Sequence, residues 1–179
     1  AVFSNARLAR MESQDFAKLS TDAISGITTA QVAVLTTDQI RGMSTDQVAA
    51  ITTADFKVFS PTQMGALTSA QVAALTLDQI AVLETADFAK LSTASVANFK
   101  ATQIEKLSTS QIQALTTEQA AALTSAQLAG LTTAQLVKFE TADFASLSTV
   151  SLAGLSKTLI ESMTTDQAAA MTSAQVGAF

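Results

Sequence analysis

The residues with the clearest chemical potential are four carboxylates, each followed directly by a phenylalanine. The pairs are Asp15-Phe16, Asp55-Phe56, Asp87-Phe88 and Asp143-Phe144. Recurring aspartates could bind calcium, but calcium-binding repeats are rich in glycine as well as aspartate, and this 179-residue chain has only six glycines. We therefore expect no metal site. We interpret each aspartate as a structural residue beside a phenylalanine that fills the core.

The composition removes most other catalytic options. The chain has no histidine and no cysteine, so it lacks the commonest general base, a thiol nucleophile and thiolate metal ligands. Serine and threonine are abundant, but no histidine is available to activate a hydroxyl, and no glycine-rich phosphate loop is visible. These features predict a protein without enzymatic activity or cofactor.

Charge and hydropathy also narrow the range of partners. The formal net charge is −5, which argues against a nucleic-acid partner, because phosphate binding needs clustered lysine and arginine. Apolar residues make up 48% of the chain, but the longest apolar runs are about four residues, whereas a membrane span needs roughly 20. We expect no insertion into a membrane.

The whole chain repeats every eight residues. After a three-residue partial unit, Ala1–Phe3, the repeat runs without insertion through 22 octads from Ser4 to Phe179. Repeats of this kind indicate one continuous stacked array rather than separate folding units. We expect a single array over residues 1–179 with no separate domain.

The first half of each octad carries a helix-start signal. Position one is Ser or Thr in 18 of 22 octads, and position four is Gln in 13 and Asp in four. Ser or Thr followed three residues later by Gln is a capping box, in which each side chain satisfies a backbone donor near the other. The clearest predicted N-caps are Thr28, Thr36, Ser44, Thr68, Thr116 and Thr124.

The apolar positions complete the helix signal. Positions five and eight are apolar in all 22 octads, and residues just before the N-cap and at the fourth helical position form a hydrophobic staple. Acidic residues concentrate in positions one to four and basic residues at positions six and seven, as the helix dipole favours. The predicted core includes Leu35, Ile40, Leu67, Val72, Leu75, Phe59, Phe99 and Phe139.

These rules predict an all-α solenoid in which each octad forms one short capped helix of six or seven residues. In a continuous α-helix, eight residues would overshoot two turns by about 80°, so the apolar residues would form no single face. A coiled coil needs a period near 3.5 residues. In a β-solenoid, positions five and eight would point to opposite faces of a strand. The number of octads in each turn of the solenoid is left open.

Five octads depart from the capping pattern at position four, where neither Gln nor Asp is present. We expect these octads to be more loosely packed, or to be used for contacts. The departures are Arg7, Ala23, Ser95, Ser151 and Leu159.

Two stretches show a resemblance to a known kind of sequence. Residues 67–75, Leu-Thr-Ser-Ala-Gln-Val-Ala-Ala-Leu, and residues 115–119, Leu-Thr-Thr-Glu-Gln, are similar to the LTTxQIxAL octapeptide repeats of large bacterial secreted or surface proteins. Such repeats are often described as adhesin-like or haem-utilisation-like. The resemblance extends over the whole chain, and it implies an extracellular or cell-surface location in bacteria.

The leading functional hypothesis is a structural one. The chain would be a rod, stalk or filament segment that serves adhesion or matrix formation, and we expect it to associate with copies of itself. Since Phe3 and Phe179 are apolar residues near the two ends of the array, and head-to-tail contacts that do not close produce fibres, we expect both to make end-to-end contacts. A solenoid that binds a protein or peptide is the alternative. An ice-binding surface of Thr and Ser side chains is the third hypothesis.

Overall fold

Helices are the only regular secondary structure in the computed structural model, which describes residues 4–179. The 22 helices follow the octads one for one, and this confirms the predicted all-α solenoid. The helices contain four to six residues, so the prediction of six or seven was too long. Position eight is extended, and in many octads positions six and seven already belong to the turn. Phe3 lies outside the described residues.

The chain divides into two compact units, Ala1–Leu91 and Ser92–Phe179. The first unit contains α1 Asn5–Arg10, α2 Ser13–Phe16, α3 Thr21–Ser25, α4 Thr29–Val32, α5 Thr37–Gly42, α6 Thr45–Ala50, α7 Thr53–Phe56, α8 Pro61–Gly65, α9 Ser69–Ala74, α10 Leu77–Val82 and α11 Thr85–Phe88. The second contains α12 Thr93–Val96, α13 Ala101–Lys106, α14 Thr109–Gln113, α15 Thr117–Ala121, α16 Ser125–Ala129, α17 Thr133–Leu136, α18 Thr141–Ser146, α19 Thr149–Leu152, α20 Lys157–Ser162, α21 Thr165–Ala170 and α22 Ser173–Val176.

Two extended residues separate one helix from the next. At the junction after α9, Leu75 has φ −55° and ψ 136°, and Thr76 has φ −71° and ψ 158°. The Leu75 N–H still donates to the Val72 carbonyl at 3.2 Å, which closes the helix before the chain turns. No described residue has a positive φ. The turn therefore has no need of glycine, which explains why a chain with so many turns contains so little of it.

Within each unit, helices three apart along the chain pack against each other. Examples are α3 with α6 and α16 with α19. One turn of the solenoid therefore contains three octads, or 24 residues. Helices of four to six residues are unstable alone, so each depends on its caps and on the turns before and after it.

The exposed residues at the two ends show which way each position faces. In the first three octads the position-five side chains Leu8, Phe16 and Ile24 are fully buried. In the last octad Val176 at position five is 59% exposed, whereas Gln175 at position four is 3% exposed. Position five therefore faces the following turn, and position four faces the preceding one.

Successive turns come very close together at two glycines that occupy position seven. A Cβ added to Gly154 would overlap the Ser125 carbonyl oxygen, and one added to Gly130 would lie 2.7 Å from the carbonyl oxygen of Ala101. In both cases the neighbour is position two of the preceding turn. Both glycines are needed because a side chain would not fit. Their backbone conformation is not the reason, since neither has a positive φ.

We expect Gly154→Ala to destabilise the second unit, since its methyl group has to push α19 away from α16. Overpacking of this kind typically costs about 1–3 kcal/mol. Chemical denaturation followed by circular dichroism measures the change. Gly177→Ala is the matched control, because its nearest neighbour would lie 3.5 Å away. Equal stabilities for the two variants would contradict the close packing described for Gly154.

Candidate functional site

The glutamine at position four joins two turns of the solenoid. In Gln71, the side-chain Oε1 accepts a hydrogen bond from the Thr68 backbone N–H at 2.8 Å. Its Nε2 donates to the carbonyl oxygens of Ile40 at 2.7 Å and Met43 at 2.8 Å in an earlier turn. The side chain is only 2% exposed. One amide thus caps its own helix and also binds the preceding turn.

This arrangement recurs along both units, and we call it the glutamine ladder. Each Nε2 donates to carbonyls 28 to 31 residues earlier. The accepting groups include the carbonyl of position eight four octads before, as with Leu35 for Gln63 and Phe99 for Gln127. Further members of the ladder are Gln39, Gln47, Gln79, Gln135, Gln167 and Gln175.

Sequence reasoning found the first role of these glutamines and missed the second. The signal was present in the residue type. A capping box accepts Glu as readily as Gln at its third helical position, yet no octad has Glu at position four. Of these two side chains, only the amide can donate as well as accept. The use of Gln and never Glu therefore indicates a second contact that needs a donor.

In the structure, the residues predicted as N-caps lie at helix starts, and the residues predicted as core are buried. The hydroxyls of the six predicted N-caps accept from the backbone N–H of position four at 3.1–3.4 Å; these are Thr28, Thr36, Ser44, Thr68, Thr116 and Thr124. The eight predicted core residues are at most 4% exposed; these are Leu35, Ile40, Leu67, Val72, Leu75, Phe59, Phe99 and Phe139. Phe179, proposed for an end-to-end contact, is 49% exposed.

The octads without glutamine or aspartate behave in two ways. Ser95, Ser151 and Leu159 are at most 4% exposed, so the expectation that such octads are loosely packed was wrong for them. In Ser151 the hydroxyl makes the corresponding bond, from its Oγ to the Leu123 carbonyl at 2.6 Å. By contrast, Arg7 and Ala23, in the first turn described, are exposed.

The four aspartates at position four lie in different surroundings. Asp55, Asp87 and Asp143 are buried, whereas Asp15 is exposed and pairs with Lys18 at 2.9 Å. Thr117 Oγ1, on the preceding turn, donates to Asp143 Oδ1 at 2.8 Å. Burial raises the pKa of Asp143, as it does for Asp87, and nearby glutamates add to both shifts.

Among the described residues 4–179, no cluster of three or more acidic side chains is close enough to hold a metal ion. None of the helices in the described part of the chain combines the length and the apolar character that crossing a membrane requires.

A family model described as the ALTTAQ repeat matches most of the chain. The matched residues are 8–45, 48–83, 80–117, 101–133 and 136–179. No curated protein sequence matches the chain.

The glutamine ladder can be tested with an isosteric substitution. In Gln71→Glu, the carboxylate can still accept from Thr68 but has no proton to donate to Ile40 and Met43. Two carbonyls then face a buried charge, so we expect a loss of more than about 2 kcal/mol in the free energy of unfolding. Urea denaturation at neutral pH measures it. The matched control is Gln113→Glu at an exposed position six, where a change within about 0.5 kcal/mol is expected. Similar losses in both variants would contradict the ladder.

The raised pKa of Asp143 predicts a pH-dependent effect on stability. Because burial raises the pKa in the folded state, that state binds the proton more tightly than the unfolded chain. Stability from this group is therefore present below the ordinary pKa and falls as pH rises through the raised one. Asp143→Asn keeps an acceptor for Thr117 and removes the charge.

We expect Asp143→Asn to melt at a higher temperature than the unsubstituted chain at pH 7. The difference should disappear near about pH 3, where the aspartate is protonated in both states. Asp15→Asn at the exposed site should show no such gain, because its carboxylate already pairs with Lys18. A lower melting temperature for Asp143→Asn at pH 7 would overturn this assignment.

Proposed function

We propose, on the premise that the chain belongs to the ALTTAQ repeat family, that it is a structural protein without enzymatic activity. It would form a length of rod, stalk or filament outside a bacterial cell and serve adhesion or matrix formation. The observation that carries this proposal is the glutamine ladder, because in both units it uses buried side chains to hold successive turns together.

The distribution of contacts supports a structural role. Within each unit, successive turns are bound by contacts of the same kinds, between glutamine amides and backbone carbonyls and between apolar side chains. Stability in such an array is approximately a sum of repeat and neighbour terms. An array of this type gains length by adding octads and needs no new kind of contact, which suits a spacer.

The hydrogen bonds of the polar side chains also support a structural role. The position-one hydroxyls are engaged as caps, as Thr68 is with the Gln71 N–H at 3.3 Å. The buried carboxylate of Asp55 accepts from the Thr52 hydroxyl within its own octad. These groups are used to satisfy the backbone and one another, and the chain has no histidine or cysteine to recruit them for catalysis.

Location is the part of the proposal that can be tested most directly. Antibodies raised against the purified chain should label intact, unpermeabilised cells of the bacterium that encodes it, or material shed into the medium. An antibody against a cytoplasmic enzyme should label only permeabilised cells. If the antibodies to this chain behave like that control, the extracellular role is wrong.

A second experiment tests the proposed role in adhesion. Cells in which the octads are deleted in frame should attach less well to a surface than cells with the array intact. Restoring the octads should restore attachment. Unchanged attachment would contradict the adhesive role.

A further inference from the structure

We infer that Glu84 and Asp87 bind a calcium ion together with the backbone carbonyl of Phe59. The ion would take the place that the amide nitrogen of glutamine has in the ladder, between a position-four side chain and a carbonyl of the preceding turn. The inference goes beyond the proposed structural role and does not depend on it.

Asp87 differs from the other two buried aspartates because it has no hydrogen-bond donor. Asp55 accepts from the Thr52 hydroxyl at 2.5 Å, and Asp143 accepts from the Thr117 hydroxyl at 2.8 Å. Asp87 is 7% exposed, and no described residue donates to its carboxylate. A buried carboxylate without a partner is costly. Its oxygens keep some contact with solvent, so an ion can reach them.

Glu84 places a second carboxylate at the same point. Side chains at positions one and four meet at the start of a helix, as the bond from Thr52 to Asp55 shows. Burial raises the pKa of Asp87, and the nearby charge of Glu84 raises it further. Two carboxylates this close repel each other, and no described basic side chain forms an ion pair with either. The acidic partners in the described ion pairs are Asp15, Asp38 and Glu161.

The sequence links the two carboxylates. Glutamate occupies position one in three octads, and each of the three has aspartate at position four; the pairs are Glu12-Asp15, Glu84-Asp87 and Glu140-Asp143. Neither Glu84 nor Glu140 caps its helix with its side chain. These octads therefore lose the capping hydroxyl and the ladder amide together. Cation binding accounts for the joint loss, and Asp87 is the buried member of these pairs that no hydroxyl already satisfies.

The Phe59 carbonyl supplies the third ligand. Ladder side chains reach the carbonyl 28 residues earlier, as Gln79 Nε2 reaches that of Ile51 at 2.9 Å. The residue 28 positions before Asp87 is Phe59, which is 3% exposed. No described residue donates a hydrogen bond to its carbonyl. A buried carboxylate and a buried carbonyl thus face each other without a donor, and both are oxygen ligands of the kind that calcium prefers.

The difference in length between aspartate and glutamine leaves space for the ion. Asp87 is shorter than a glutamine by one methylene group, about 1.5 Å, so its carboxylate ends short of the place of the ladder nitrogen. Calcium binds oxygen at about 2.3–2.6 Å, close to the 2.9 Å between Gln79 Nε2 and the Ile51 carbonyl. An ion in that place therefore bridges the carboxylate and the carbonyl. Magnesium suits the site less well, because it demands near-ideal octahedral geometry and dehydrates reluctantly.

The site differs from the calcium sites considered from the sequence. We expected no metal because calcium-binding repeats are rich in glycine. Here the carbonyl comes from the turn after a helix in the preceding turn of the solenoid, so no glycine-rich loop is needed. The site also has two carboxylates, fewer than the clusters of three that are absent from residues 4–179.

Titration calorimetry of the full chain with calcium chloride tests the inference. The chain is first treated with EDTA and then dialysed into about 0.15 M NaCl, which screens nonspecific attraction. We expect one ion to bind with a Kd of about 0.1–1 mM, the range of the weaker calcium modules. No binding up to about 10 mM, ten times the weakest Kd in that range, would overturn the inference.

Three variants locate the ion. Asp87→Asn and Glu84→Gln each remove one charged ligand, and we expect each to weaken binding at least about tenfold. The matched control is Asp55→Asn, at the same position of its octad, whose carboxylate already accepts from Thr52. It should bind calcium like the unsubstituted chain. Full binding by Asp87→Asn would place the ion elsewhere and overturn the inference.

Thermal melting separates a calcium ligand from a residue that only supports the fold. The unsubstituted chain should melt at a higher temperature in calcium than in EDTA, and Asp87→Asn should melt at the same temperature in both. In EDTA the variant should be at least as stable as the unsubstituted chain, because it lacks the buried charge. An equal loss of stability in calcium and in EDTA would assign the carboxylate a purely structural role and overturn the inference. Circular dichroism shows whether each variant keeps its helices.

Discussion

The fold depends on the buried side-chain amide at position four. A helix of four to six residues leaves most of its backbone donors and acceptors without partners inside the helix. Gln71 satisfies the N–H at the start of its own helix and two carbonyls at the end of an earlier one. The start of a helix in one turn lies beside the end of a helix in the preceding turn. One glutamine side chain can therefore bond to backbone groups of both helices. The octad can then be repeated without long helices or strands.

This constraint also explains which residues vary. Position four can be Ser151, which makes one short bond to the preceding turn, or Leu159, which packs there as an apolar residue. At Gly154 and Gly130 two turns approach too closely for any larger side chain. Outward positions carry Thr, Ser, Ala or charged residues.

The sequence was sufficient for the local structure because the capping box and the staple act within one octad. It predicted the N-cap at Thr68 and the burial of Val72 and Leu75 from residue types alone. It did not reveal three octads in each turn, since that number follows from the extended backbone at junctions such as Leu75-Thr76. The second role of Gln71 also required knowledge of which carbonyls lie beside it, although the avoidance of Glu was a usable sign.

The central claim, that turns of three octads stack in a fixed register, can be tested with an engineered disulfide. The chain has no cysteine, and a Cβ at Gly42 would lie 3.7 Å from that of Ser13, within the range that a disulfide requires. The variant Ser13→Cys with Gly42→Cys should oxidise to an intramolecular bond. Pairing Ser13→Cys with Ala50→Cys, the same position one octad later, should not. Equal cross-linking in the two variants, or none in the first, would contradict the three-octad turn.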